Sequence, residues 1–230
     1  MGDSMTNVSN NIPKTALNRM KGTIIFHGTP SALELPIDNK HSFHNDFGAG
    51  FYTSTDIEFA ESMSIKNNTN GLLYYISYSL DNLTVFNFER DIELWMLYIA
   101  ANRGVIKTDE YRKLHNKIEE INKYDVVIGK ISDDRSAYIY NQFYIGAATD
   151  ICVEEYLNYY NLGDQIVFKS QRACKNLAIC DVLYNTDIDR NRIMHDKSVR
   201  LGKAVSIVED LKRKYENTGT RINTLLEKYR

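Results

Sequence analysis

Apolar positions along the chain recur in two rhythms. Short runs rich in β-branched and aromatic residues, bounded by Gly, Asn, Asp and Ser, predict strands: "GTIIFHGT", "GFYTS", "LLYYISYSL", "LTVFNF", "YDVVIG", "QIVFKS" and "NLAICDVLYN". Between them lie segments with helical spacing. Thr55 reads as an N-cap, with Asp56 and Glu58 in the first turn of a helix that runs to about Lys66 and stops at "NNTNG". Asp91 starts "DIELWMLYIAANRG", with Ile92, Trp95, Met96 and Ile99 on one face and Gly104 at its end. "TDEYRKLHNKIEEINK" predicts a more polar helix, and "DDRSAYIYNQFYIG" and "TDICVEEYLNYYN" two more with a short joint. Strands and helices do not alternate as regular βαβ units, which favours an α+β fold or a split sheet.

Beyond Asp187 the pattern changes. Leu201, Ala204, Val208, Leu211 and Tyr215, then Ile222, Leu225, Leu226 and Tyr229, recur at helical spacing and predict amphipathic helices. Residues 1–21 are polar and expected to be poorly ordered. The division expected is therefore a tail over 1–21, a catalytic-size domain over 22–186 and a basic helical extension over 187–230. That extension holds 11 Lys+Arg against 7 Asp+Glu, a net +4 within a chain of net charge -2. It is a candidate partner or nucleic-acid surface, although a solvated helix face is the simpler reading.

Composition narrows the classes further. With 230 residues the chain can bury one good-sized core, and 43% hydrophobic with 25% charged residues is ordinary for a globular protein. Cys152, Cys174 and Cys180 have no CxxC spacing, which argues against a disulfide framework or a structural zinc. No apolar run approaches the length that spans a bilayer, and the N-terminus lacks the apolar core of a signal peptide. "MGDSMT" fits the myristoylation pattern formally but is too short a match to carry weight. A cytoplasmic protein without membrane contact is expected.

Few residues suggest chemistry taken singly. His41 and His44 with Asp46 lie in a loop without a fourth metal ligand, so no metal is expected. "GAG" is not a GxGxxG fingerprint, and no βαβ unit surrounds it. His115 and His195 sit in polar helical contexts and read as surface residues. Three distant segments combine more informatively: "FHGT" at a strand end, "FGAGFYTSTDIEFA", and "LGDQIVFKS", where Gln165 opens a strand.

In order and spacing these segments resemble the histidine–tyrosine–glutamate clade of the ADP-ribosyltransferase superfamily, which includes the poly(ADP-ribose) polymerases and diphtheria-like toxins. The resemblance spans roughly residues 22–184. It is nearest to an uncharacterised bacterial family of that superfamily, through "LWMLYIAANRG" and "YDVVIGKISDDR". It implies a split-sheet core with flanking helices and NAD+ as co-substrate. It further implies transfer of ADP-ribose through an oxocarbenium-like transition state.

His27, Tyr52 and Gln165 are then the expected catalytic triad. His27, Gly28, Thr29, Gly50, Phe51 and Tyr52 are expected to bind the dinucleotide. The resemblance puts His27 on the adenosine ribose and the Gly28 backbone on the nicotinamide amide, while the ring of Tyr52 stacks on nicotinamide. Gln165 departs from the pattern, since an amide keeps hydrogen bonding but carries no charge and is no base. Chain-extending synthesis is not expected, whereas single transfer remains open.

Asp133 and Asp134 are auxiliary carboxylates, about 100° apart if helical, and one of them is equally an N-cap. Arg103 is a pyrophosphate ligand or, more simply, a cation at a helix C-terminus. The expected function is an NAD+-dependent mono-ADP-ribosyltransferase acting on a cytosolic protein or nucleic acid, in a toxin–antitoxin or phage-defence setting with a small cognate antitoxin. The alternatives are an inactive NAD- or nucleotide-binding module and an NAD+ glycohydrolase.

Overall fold

A computed structural model describes residues 24–39, 45–65, 70–89, 91–106, 108–132, 136–160 and 163–228. The expected N-terminal tail, His41, His44, Asp133, Asp134 and Tyr229 lie outside the described residues. The strands are β1 (Ile24–Thr29), β2 (Phe51–Ser54), β3 (Leu72–Tyr78), β4 (Val85–Asn87), β5 (Val126–Lys130), β6 (Asp164–Phe168) and β7 (Leu177–Tyr184). The described helices are α1 (Ile57–Ser64), α2 (Ile92–Asn102), α3 (Thr108–Asn122), α4 (Ala137–Tyr144), α5 (Asp150–Tyr160), α6 (Gln171–Cys174), α7 (Asp187–Lys214) and α8 (Ile222–Lys228).

All seven strands join one mixed sheet in the order β4-β5-β6-β2-β1-β3-β7. Among the described residues only β4 and β5 pair in parallel. The fold is α+β, as the irregular alternation of elements predicts. Among the described residues, no helix is long and apolar enough to cross a membrane.

Alternation along the strands divides two cores. Ile25, Phe51, Tyr74, Ile166 and Phe168 pack on one face. Val127 and Val167 pack on the other, in a larger cluster built around α2. In α2 every residue from Leu94 to Ala101 is buried, so the single apolar face expected from Ile92, Trp95, Met96 and Ile99 is replaced by burial all round. The reason is position: α2 lies in the middle of the cluster, among residues of the sheet, α3, α4, α5, α7 and α8.

Local chemistry corrects two helix boundaries. The cap of α1 is Asp56, whose Oδ1 accepts from Phe59 N at 3.0 Å. Thr55 instead ties α1 to the start of β6: its Oγ1 accepts from Asp164 N at 2.8 Å. The helix ends at Ser64, short of Lys66. The short α6, which has too few residues to show a period, is started by Ser170, whose Oγ accepts from Ala173 N at 3.0 Å.

Helix α7 begins at Asp187 with a capping box between Thr186 and Asp189. Ala204 and Val208 from α7, with Ile222, Leu225 and Leu226 from α8, join the same cluster as Trp95. Leu201, expected on that buried stripe, is 37% exposed.

Candidate functional site

The three motif segments become three neighbouring strands, β6, β2 and β1. Their pairing is uneven. Strand β1 meets β3 through six residue pairs but meets β2 through one, Phe26 with Ser54. Strand β2 meets β6 through four, including Ser54 with Gln165. Beyond Phe26, β1 and β2 therefore part, and at this parting opens a cleft of about 1820 Å³. His27, Gly28, Thr29, Phe51, Tyr52, Arg103 and Gln165 all line it, whereas Gly50 is not among its lining residues.

The register fixes which way these residues look. Phe26, Ser54 and Gln165 are directly opposite one another and share a face, and Tyr52, two residues from Ser54, shares it too. His27 is on the other face, where its ring stacks on Phe51 at 4.6 Å. The cleft receives both sets because it opens between the strands. His27 bridges the parting: its Nδ1 lies 2.7 Å from the Tyr52 carbonyl oxygen. A carbonyl only accepts, so Nδ1 carries a proton in this contact.

Tyr52 locks the loop before its own strand. Its hydroxyl donates to Gly48 O at 2.6 Å and accepts from Phe47 N at 2.9 Å. Burial pushes that hydroxyl far above the usual tyrosine range, so it stays neutral and its use is positional. The loop is held from behind by Lys169, whose Nζ donates to Phe47 O and to Asn122 Oδ1, the latter at 3.1 Å. Burial lowers Lys169 to about 8.

The glycines have a reason different from ligand approach alone. A Cβ on Gly28 would overlap the Ala60 carbonyl oxygen and stand 2.9 Å from Ser64 N, so the bare backbone lets α1 lie directly on β1. A Cβ on Gly50 would stand 2.6 Å from Val167 Cγ1, so that glycine serves the contact with β6. Gly48 has φ of 71°, the left-handed region that suits glycine.

Gln165 is 6% exposed, and its Oε1 is buried with no hydrogen-bond partner among the described residues. Thr29 is more ordinary, its hydroxyl donating to Ser31 O at 3.0 Å. Arg103 does cap the C-terminus of α2, as its position predicts. It also reaches the cleft, where Nε meets Asp46 Oδ1 at 2.6 Å and Nη2 donates to Ser132 Oγ at 2.9 Å. Burial pushes the Asp46 carboxyl up against the pull of Arg103, while Asp46 keeps Arg103 firmly charged despite its burial.

Asp46, Ser132, Phe59 and Lys197 join the cleft without having been legible as members of it. The pairing of Asp46 with Arg103 joins residues 57 apart in sequence, which no local pattern signals. Among the described residues no group of His, Cys, Asp and Glu could hold a metal ion.

A family model described as a protein of unknown function (DUF3990) matches residues 23–179. A search of the curated proteins and a search of the solved structures each found no match.

Proposed function

The chain belongs to the DUF3990 family, and on that footing we propose that it binds NAD+ in the cleft and transfers a single ADP-ribosyl group to a cytosolic protein or nucleic acid. The proposal includes the finer reading of the fold as an ADP-ribosyltransferase-like split sheet. The observation that carries it is the buried Oε1 of Gln165, without a partner among the described residues, in a cleft whose other motif residues come from the next two strands. A buried acceptor without a donor costs about 1–3 kcal/mol, and a ribose hydroxyl is a donor that relieves it.

When bound, NAD+ supplies a nicotinamide–ribose bond whose cleavage releases nicotinamide and passes ADP-ribose to an acceptor. The residues of this chain orient that bond. Gln165 Oε1 accepts from a hydroxyl of the nicotinamide ribose. Tyr52, held by Gly48 and Phe47, offers its ring as a stacking platform. Gly28 lies beyond the last β1–β2 rung, so its main chain on that side can meet the carboxamide. His27 lines the cleft, where its imidazole can meet a ribose hydroxyl, while Nδ1 fixes β2.

One observation favours the second reading, a binding module without turnover. Gln165 is neutral, and Asp46, an acidic residue of the cleft wall, is engaged by Arg103. Incubating the protein with labelled NAD+ and cell extract separates the two. Label on a macromolecule, lost in His27→Ala and Gln165→Ala, supports transfer. Free ADP-ribose without labelled acceptor marks hydrolysis instead, and intact binding without turnover leaves only the binding module.

A further inference from the structure

Asp46 stands in the loop that leads into β2, one residue before Phe47, and lines the cleft. It is held from several sides. Asn102 Nδ2 donates to its main-chain oxygen at 3.0 Å, and Arg103 Nε donates to its Oδ1 at 2.6 Å. Arg103 is fixed in turn by Ser132, whose Oγ accepts from Nη2 at 2.9 Å. The next residue, Phe47, donates its N–H to the Tyr52 hydroxyl at 2.9 Å. The end of α2, strand β2 and the segment after β5 thus place one carboxylate in the cleft wall, its side chain 12% exposed.

The pairing with Arg103 orients this carboxylate without using it up. An ionised carboxylate offers about four lone-pair sites, and the Nε contact takes one of them on Oδ1. Arg103 keeps its charge beside Asp46, so it does not compete for a proton. Burial pushes the Asp46 carboxyl up from the usual carboxylate range, against the pull of Arg103. That is the direction a general base needs at neutral pH. The location fits too. After burial, the charge of Asp46 helps to keep the Tyr52 hydroxyl neutral, which puts the carboxylate near that ring. Tyr52 is the platform on which the proposed reading stacks nicotinamide.

Gln165 is no base, so attack by a hydroxyl or an amine on the ribose needs a proton acceptor from another part of the cleft. We infer that Asp46 is that general base, a catalytic residue for the transfer step. The inference rests on the transferase reading. The acceptor's lone pair forms the bond to the anomeric carbon of the nicotinamide ribose. The bond to nicotinamide breaks, its electron pair leaving on the ring nitrogen, and the acceptor's proton passes to the Asp46 carboxylate. The acceptor class is then one with a proton to lose, a hydroxyl or an N–H group.

The test measures nicotinamide release from NAD+ in single turnover by the full chain, and NAD+ binding by calorimetry. The acceptors are cell extract or methanol, which must lose a proton in attack, and azide, which is already an anion and needs no base. The variants are Asp46→Asn, which keeps an oxygen for Arg103, and Asp46→Ala, each checked by thermal melting. Asp46→Asn is expected to slow release with extract or methanol about 100-fold or more, with NAD+ binding close to that of wild type. Azide should bring both variants back toward the wild-type rate. Equal rates for wild type and Asp46→Asn with extract or methanol would overturn the inference and leave the transferase reading standing. Slowing that azide does not relieve would also overturn it, since that marks a structural role in holding the loop. If wild type releases nicotinamide with none of these acceptors, the transferase reading fails and the base falls with it.

Discussion

Replacing Gly28 by alanine adds one methyl group where the sheet meets α1. The new carbon would stand 2.7 Å from the Ala60 carbonyl carbon and 2.9 Å from Ser64 N, and it would overlap the Ala60 oxygen. All three are backbone atoms, so no side-chain rotation relieves the clash, and α1 must move bodily away from β1. That movement loosens the small cluster of Phe26, Ala60, Leu73 and Tyr75. Overpacking a well-filled site costs about 1–3 kcal/mol, and the backbone origin of this clash puts Gly28→Ala at the upper end, about 3 kcal/mol. In a domain of this length that lowers Tm by roughly 6–12 °C. Thermal melting followed by far-UV circular dichroism, with urea unfolding as a second measure, reads the change. Because Phe59 and Ala60 of α1 line the cleft, ligand binding should weaken with stability. A Gly28→Ala variant that melts within about 2 °C of wild type would refute the claim that α1 rests on bare backbone at this position.

Tyr52→Phe should destabilise the fold by about 1–3 kcal/mol, since it leaves Phe47 N and Gly48 O without their partner; urea unfolding checks this. Lys169 has its folded pKa lowered to about 8 from 10.5 by burial. Between those values the unfolded chain holds the proton more tightly, so this group's contribution to stability rises with pH, by up to about 1.4 kcal/mol per pH unit. Urea unfolding at pH 7.5 and 9.5 should therefore show a rise in wild type that is missing from Lys169→Met; equal slopes would contradict it. Gln165→Glu restores a carboxylate where the resemblance has one, and is expected to raise transfer from NAD+ by about tenfold or more in a single-turnover label assay.

Much of the architecture was readable because its elements carry local signals. The strands at Ile24, Leu72, Val126 and Leu177 are dense in β-branched and aromatic residues, and Asp91 and Gly104 mark the ends of α2 in the ordinary way. What sequence does not carry is register. That His27 and Gln165 look to opposite faces follows from the pairing of Phe26 with Ser54 and Ser54 with Gln165, which is set by long-range packing. The parting of β1 from β2 after one rung is of the same kind. The glycines of "FGAG" were visible, but their reasons were not, because Val167 lies 117 residues beyond Gly50 in the numbering and only the folded sheet makes them neighbours. Thr55 and Asp56 are both good caps by residue type, and the choice fell to Asp56 because Thr55 is needed at the start of β6. Lys197 was unreadable for a related reason, since a lysine on a mostly polar helix gives no sign of what that helix lies against.

The central claim is that Gln165 Oε1, which has no partner among the described residues, faces the NAD+ ribose. A crystal structure of the protein with NAD+ or a non-hydrolysable analogue tests it most directly. The account predicts a ribose hydroxyl within about 3 Å of Gln165 Oε1 and nicotinamide stacked on Tyr52 between the parted ends of β1 and β2. A dinucleotide bound elsewhere, with Gln165 Oε1 still unpartnered, would contradict it.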